Sequence, residues 1–197
     1  GPSRTDGEVR NRRHWTLLLF STGELSLAEH TECAGERLYA GMDVRMVQIP
    51  SDTGQHGSFE QLHGFASGQQ FADTLCDRVA RFHRTAFRAW LAFLTSDLDA
   101  STTLARELLR RYQTALMPDN AGNQVQRIVA RFALLAVAGE IATLNGITGW
   151  QEGSAYGAVQ ICLHAWLNER GHIANQEDEG VLAQIKRFIT AHQYSRF

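Results

Sequence analysis

The chain has 197 residues, 44% of them hydrophobic and 20% charged, with a formal net charge of −2. This suits one medium domain or two small ones, and a globular rather than a disordered chain. The charge balance excludes the global basic field of a free-standing nucleic-acid binder, no apolar run nears the ~18 residues a membrane span needs, and no basic-then-apolar leader opens the sequence.

Three cysteines, Cys33, Cys76 and Cys162, lie far apart with no metal-ligand spacing. They imply neither a disulfide framework nor a thiolate metal site, and a reducing cytoplasm suits them. Gly1 and Pro2 read as the scar of a cleaved tag, which leaves room for native chain upstream.

The first stretch, residues 1–50, reads as strand, helix, strand. His14-Trp15-Thr16-Leu17-Leu18-Leu19-Phe20 is a short continuous apolar run, the pattern of a strand buried on both faces. Ser26-Leu27-Ala28-Glu29 has capping-box spacing and starts a helix that should end near Gly35 or Gly41. Asp43 to Ile49 alternates in polarity and stops at Pro50, so it predicts a second strand. Residues 51–67, rich in Gly, Ser, Gln and His, read as a linker or functional loop with one helical turn near Phe59 to His63.

From residue 68 to 197 the pattern is helical. Phe71, Leu75, Val79, Phe82, Ala86, Trp90 and Phe93 fall within about 100° of arc, which predicts one long amphipathic helix to about Leu94. Ser101 is the expected cap of the next helix, which closes before Pro118. Val125 to Leu144 is apolar nearly all round and predicts the central buried helix, ending at Asn145-Gly146. Two more helices should follow, one marked by Ala155, Val159, Cys162 and Trp166, the other by Val181, Ile185, Phe188, Ile189 and His192. The fold class expected is α+β leaning mainly α, with a P-loop-type sheet remnant followed by an all-helical, lid-like bundle.

The chemistry is as informative for what it lacks. A phosphate-binding loop needs a glycine turn followed by Lys-Ser or Lys-Thr. The only lysine, Lys186, sits in Gln184-Ile185-Lys186-Arg187 with no glycine beside it. No acidic motif placed to hold Mg²⁺ after a strand is visible, and the eight histidines are scattered without ligand spacing, so no metal site is assigned.

Ser21, Thr22 and Glu24 stand at the C-terminal end of the first strand, the edge where open α/β sheets gather ligands. They could sense a terminal phosphate or orient water; an ordinary capped turn uses the same residues. Arg37, in the glycine-flanked connector Gly35 to Gly41, has the setting of an arginine finger, and Arg45 follows on the next strand. A solvated or salt-bridged arginine fits either position as well. Arg78, Arg81, Arg84 and Arg88 share one side of the long helix and could track a nucleic-acid backbone, or form its solvated face. Arg127 and Arg131, a turn apart on the central helix, need a partner there, either a nucleotide phosphate or a carboxylate such as Glu107 or Glu140.

Several of these segments, in this order, resemble one family. Trp15 to Glu24, Ala34-Gly35-Glu36-Arg37, Ala40 to Arg45, Ile49-Pro50 and Leu62-His63-Gly64-Phe65 are similar to the end of domain-of-unknown-function family 927. Arg131-Phe132-Ala133-Leu134, Ala138-Gly139-Glu140 and Thr148-Gly149-Trp150 resemble the helical segment that follows it.

Members of that family are similar to P-loop helicases of phages, plasmids and integrative elements, often beside a primase-like domain. The resemblance implies a C-terminal fragment of a DNA-dependent ATPase. Ser21, Thr22 and Glu24 would then be its sensor, Arg37 its finger, Arg45, Arg127 and Arg131 phosphate contacts, and the helices its lid. ATP and Mg²⁺ would be bound by the parent, a homo-oligomeric ring on DNA with a primase-type partner and no membrane association. The family's phosphate-binding loop and acidic motif precede the matched segment, so the chain alone should be inactive. The other reading is a non-enzymatic, mostly helical module that binds DNA or protein.

Overall fold

The structure is a computed structural model and describes residues 19–36, 45–171 and 185–190. Two compact units divide the chain, Gly1–Arg37 and Leu38–Phe197. The described residues are mostly helical and contain no β-strand.

In the first unit, helix α1 spans Leu27–Cys33. The Ser26 hydroxyl accepts from the Glu29 N–H at 3.1 Å, and the Glu29 carboxylate accepts from the Ser26 N–H at 2.7 Å. Two of the amides that a helix start leaves unpaired are thus satisfied reciprocally, as the spacing predicts. The helix stops at Ala34, and Gly35 turns the chain at a φ of 71°. Of the expected first strand, residues 14–18 lie outside the described residues, and Leu19 and Phe20 are exposed, irregular chain.

In the second unit, residues 45–50 form a turn and bend leading to irregular chain, where the alternation predicts a strand. Alternation describes a segment with one face covered; it does not supply the neighbouring strand that would complete the ladder. Val47 instead leans on the helical core. Residues 51–67 contain turns and an isolated bridge between His56 and Phe59, with no helical turn near Phe59 to His63. At Leu62 to Phe65 the chain reverses through His63 and Gly64, both at positive φ. The ring of Phe71 then collects Phe59, His63 and Phe65 at centroid distances of 4.7, 5.6 and 5.2 Å. The loop is therefore pinned to the helix that follows it.

That helix, α2, spans Gly68–Arg81 and is capped by Ser67, whose hydroxyl accepts from the Gln70 N–H. The next, α3, spans Thr85–Ser96. The single long helix predicted from the apolar stripe is thus two, broken at Phe82 to Arg84. Helix α4 spans Leu98–Leu116 and its cap is Asp97, which accepts from the Ala100 N–H at 2.9 Å. Ser101, the expected cap, is one turn inside and buried. Helix α5 spans Asn123–Leu144 and α6 spans Ser154–Arg170. They end at Asn145-Gly146 and Gly171, with both glycines at positive φ, as the sequence predicts. Residues 185–190 are helical, within the span predicted for the last helix.

The core is made by α4, α5 and α6, with α5 packed against both neighbours. Val125, Ile128, Val129, Phe132 and Ala133 point into it from α5, meeting Leu116 from α4 and Leu163 and Trp166 from α6. Each large aliphatic side chain fully withdrawn from water contributes roughly 1.5–3 kcal/mol. Composition predicts a helix buried nearly all round, but α5 is buried on one face only. Its buried positions recur at the 3-4 spacing of one face, while Arg127, Arg131, Leu134, Leu135 and Ala138 stand exposed on the other.

Candidate functional site

The candidate residues of the first stretch do not converge on a described site. Ser21, Thr22 and Glu24 lie in exposed irregular chain leading into α1. Arg37 lies outside the described residues, and Arg45 is exposed at the turn before Val47. Glu29, which no functional reading used, has its carboxyl held below its ordinary value by the Ser26 side chain and then by the Ser26 N–H.

The four arginines of the second stretch do not form one ladder. Arg78 and Arg81 sit on the last turns of α2, Arg84 in the break, and Arg88 on α3. An open groove of about 480 Å³ is lined by Asp73, Thr74, Asp77, Arg78, Arg81 and Phe82. Arg81 pairs with Asp77 at 2.9 Å. A groove of mixed sign is a weak guide for a polyanion, because each phosphate near an arginine also meets a carboxylate. Beside it the apolar side chains stand open: Val79 is 64% exposed, Phe82 74% and Phe87 64%. Trp90 and Phe93 are half-buried on α3, their ring centroids 6.0 Å apart.

Arg127 and Arg131 lie on the exposed face of α5, whereas Glu140, one of the carboxylates considered for them, lies on the buried face at 2% exposure. Glu140 has another task. Its two carboxylate oxygens accept from the N–H groups of Gly153 and Tyr156, at 2.8 and 3.0 Å. Those amides open α6, whose own cap position is a glycine with no side chain to offer. A carboxylate from α5 therefore caps α6, where the positive end of the helix dipole stabilises it.

The junction around Glu140 is close-fitted. A Cβ placed on Gly139 would fall 2.5 Å from the Cβ of Ala155, so only glycine lets α5 and α6 cross here. Trp150 lies beside the same glycine. The Thr143 and Thr148 hydroxyls meet at 2.8 Å, and the Thr148 hydroxyl accepts from the Trp150 N–H at 3.2 Å. Tyr112 of α4 stacks on Tyr156 with centroids 4.9 Å apart. Burial first, and the Glu140 charge second, raise the Tyr112 phenol above its ordinary value. At the far end of the hairpin Arg170 lies over the Trp166 ring at 5.3 Å and donates to the Gln124 side chain at 2.6 Å.

The arrangement holds α5 and α6 together. Among the described residues no group of three or more His, Cys, Asp or Glu side chains is placed to share a metal ion. No described helix is long and apolar enough to cross a membrane. The Cys162 thiol, half-buried on α6, is pushed up by burial. Sequence reasoning missed the capping role of Glu140. The available signal was an acidic residue on an apolar helix followed by a helix that begins Gly-Ser-Ala with no acidic cap. Comparison with family models, curated proteins and solved structures found no match for this chain.

Proposed function

We propose that this chain is the C-terminal, lid-bearing part of a helicase-type, DNA-dependent ATPase that serves mobile-element replication in the cytoplasm. The observation that carries the reading is the α5–α6 junction. The segments Ala138-Gly139-Glu140 and Thr148-Gly149-Trp150, two of those that resemble family 927, meet in space. There Gly139 permits the crossing, Glu140 caps α6, and Thr148 orients Trp150. Residues that a packed junction requires together are worth more as a family signature than the same residues scattered.

In this reading the helical body is the lid. Ser21, Thr22 and Glu24 form the sensor, and Arg37 reaches the nucleotide of a neighbouring subunit in a ring. Arg45, Arg127 and Arg131 are secondary phosphate contacts. The phosphate-binding loop and Mg²⁺ site belong to chain that precedes the matched segment, because Lys186 has no glycine turn and stands in the helical run 185–190.

The test is ATP turnover. This chain alone should show none. A longer native chain carrying a Gly-rich Lys-Ser or Lys-Thr loop should turn ATP over, and Arg37→Ala in it should abolish hydrolysis while nucleotide binding stays nearly intact. Turnover by the short chain, or hydrolysis surviving in the variant, sinks the proposal.

A second reading is favoured by the open apolar side chains on α2 and α3: a non-enzymatic helical binding module. The mixed-sign groove favours protein over DNA as its partner. Single-stranded DNA should then bind this chain weakly even at low salt. Tight, salt-dependent binding lost on removing Arg78, Arg81, Arg84 and Arg88 would restore a nucleic-acid role.

A further inference from the structure

Helices α2 and α3 are separated by three residues that contain neither glycine nor proline: Phe82, His83 and Arg84. Arg84 takes a φ of 68°, a left-handed conformation that L side chains other than Asn and Asp rarely adopt. It stands at the cap position of α3 and provides no side-chain hydrogen bond there. The break therefore has a conformational cost and leaves the first amides of α3 uncapped.

The sequence across the break is that of an uninterrupted helix. Phe71, Leu75, Val79, Phe82, Ala86, Trp90 and Phe93 occupy one arc of about 100° only if helical phase runs unbroken from α2 into α3. In the structure the stripe is split: Trp90 and Phe93 are half-buried while Val79 and Phe82 face solvent. One contact favours the bent form. The His83 ring lies with Nδ1 3.0 Å from the Ala80 carbonyl oxygen and so serves one of the carbonyls at the end of α2.

We propose that Phe82 to Arg84 is a two-state hinge, which exchanges the bent α2–α3 pair for one continuous helix from Gly68 to Ser96. In the straight form Arg84 returns to helical backbone, the uncapped amides gain carbonyl acceptors, and the seven apolar residues align as one face. The bent form holds the His83 cap. The device goes beyond the ATPase reading and does not depend on it.

The experiment measures a distance in the whole chain. Cys33, Cys76 and Cys162 are replaced by alanine, and spin labels are placed at Asp73 and Thr95, both exposed. A continuous helix sets their backbones about 33 Å apart, and any bend brings them closer. Two populations are expected, the longer near 33 Å. Arg84→Gly removes the penalty on left-handed backbone and should deplete the long population on the order of tenfold. His83→Ala removes the cap contact and improves helix propensity, so it should enrich that population several-fold. Thermal unfolding of the α4–α6 core should not change in either variant. A single distance shared by all three proteins, or a long population that moves in the same direction in both variants, overturns the hinge.

Discussion

The α4–α6 bundle and the α2–α3 pair are built from equally apolar-looking sequence and end in opposite states. In the bundle, Ile128, Val129 and Leu163 are withdrawn from water almost completely; in the pair, Val79, Phe82 and Phe87 are mostly exposed. Amphipathic periodicity determines which side of a helix could be buried. Whether it is buried depends on a second surface of matching shape, and α5 finds one on each flank. The two regions should therefore respond very differently to the same kind of substitution.

The sharpest contrast is large-to-small. Leu163→Ala should cost about 3 kcal/mol, read as a fall in melting temperature of roughly 6–12 °C. Loss below about 1 kcal/mol would mean the bundle core is loosely packed. Glu140→Ala should cost nearly as much, about 2–3 kcal/mol, because two helix-opening amides lose a charged acceptor. Glu140→Gln should lose less, since the amide oxygen still accepts one of them. Equal loss in both variants would place the effect in the charge rather than in the cap.

Gly139→Ala should cost about 2 kcal/mol by forcing α5 and α6 apart. Adding Ala155→Gly in the same chain should recover much of it, and no recovery would deny that the two residues meet. In the other region, Phe82→Ala should change stability by less than about 0.5 kcal/mol in chemical denaturation. A larger loss would show that the exposed ring is covered in solution.

The smallest effect is local to α1. The Glu29 carboxyl lies below its ordinary value of 4.5 in the folded chain, so its support of the helix start is fully present above that value. That support should fade as pH falls through the lower folded value. Amide chemical shifts of Leu27–Cys33 should follow this titration while those of α5 do not.

Much of the helical half was legible. Helices α5 and α6 and their glycine stops follow from apolar spacing and from residues that tolerate positive φ, both local properties. The α4 cap was misplaced by one turn because Asp97 and Ser101 are both good caps and spacing alone does not choose between them. The break at Arg84 left no signal, since no glycine or proline marks it. The strand expected over Asp43 to Ile49 depended on a pairing partner, and in its described part the chain gives Val47 to a helical core instead.

Of the candidate site, sequence reasoning found the arginines but not their surroundings. Asp73 and Asp77 beside Arg78 and Arg81, and the exposed setting of Arg127 and Arg131, are products of the fold. Ser21, Thr22 and Glu24 lie in exposed irregular chain, so their shared position comes from order along the sequence and not from packing.

The Glu140 cap has a consequence for how the molecule acquires its shape. Its amide partners lie only 13 and 16 residues further along the chain. Closing so short a loop sacrifices little chain entropy. The contact that joins α5 to α6 is therefore local in sequence, unlike the stacking of Tyr112 of α4 on Tyr156 of α6. A buried carboxylate thus joins two neighbouring helices at little cost in chain entropy.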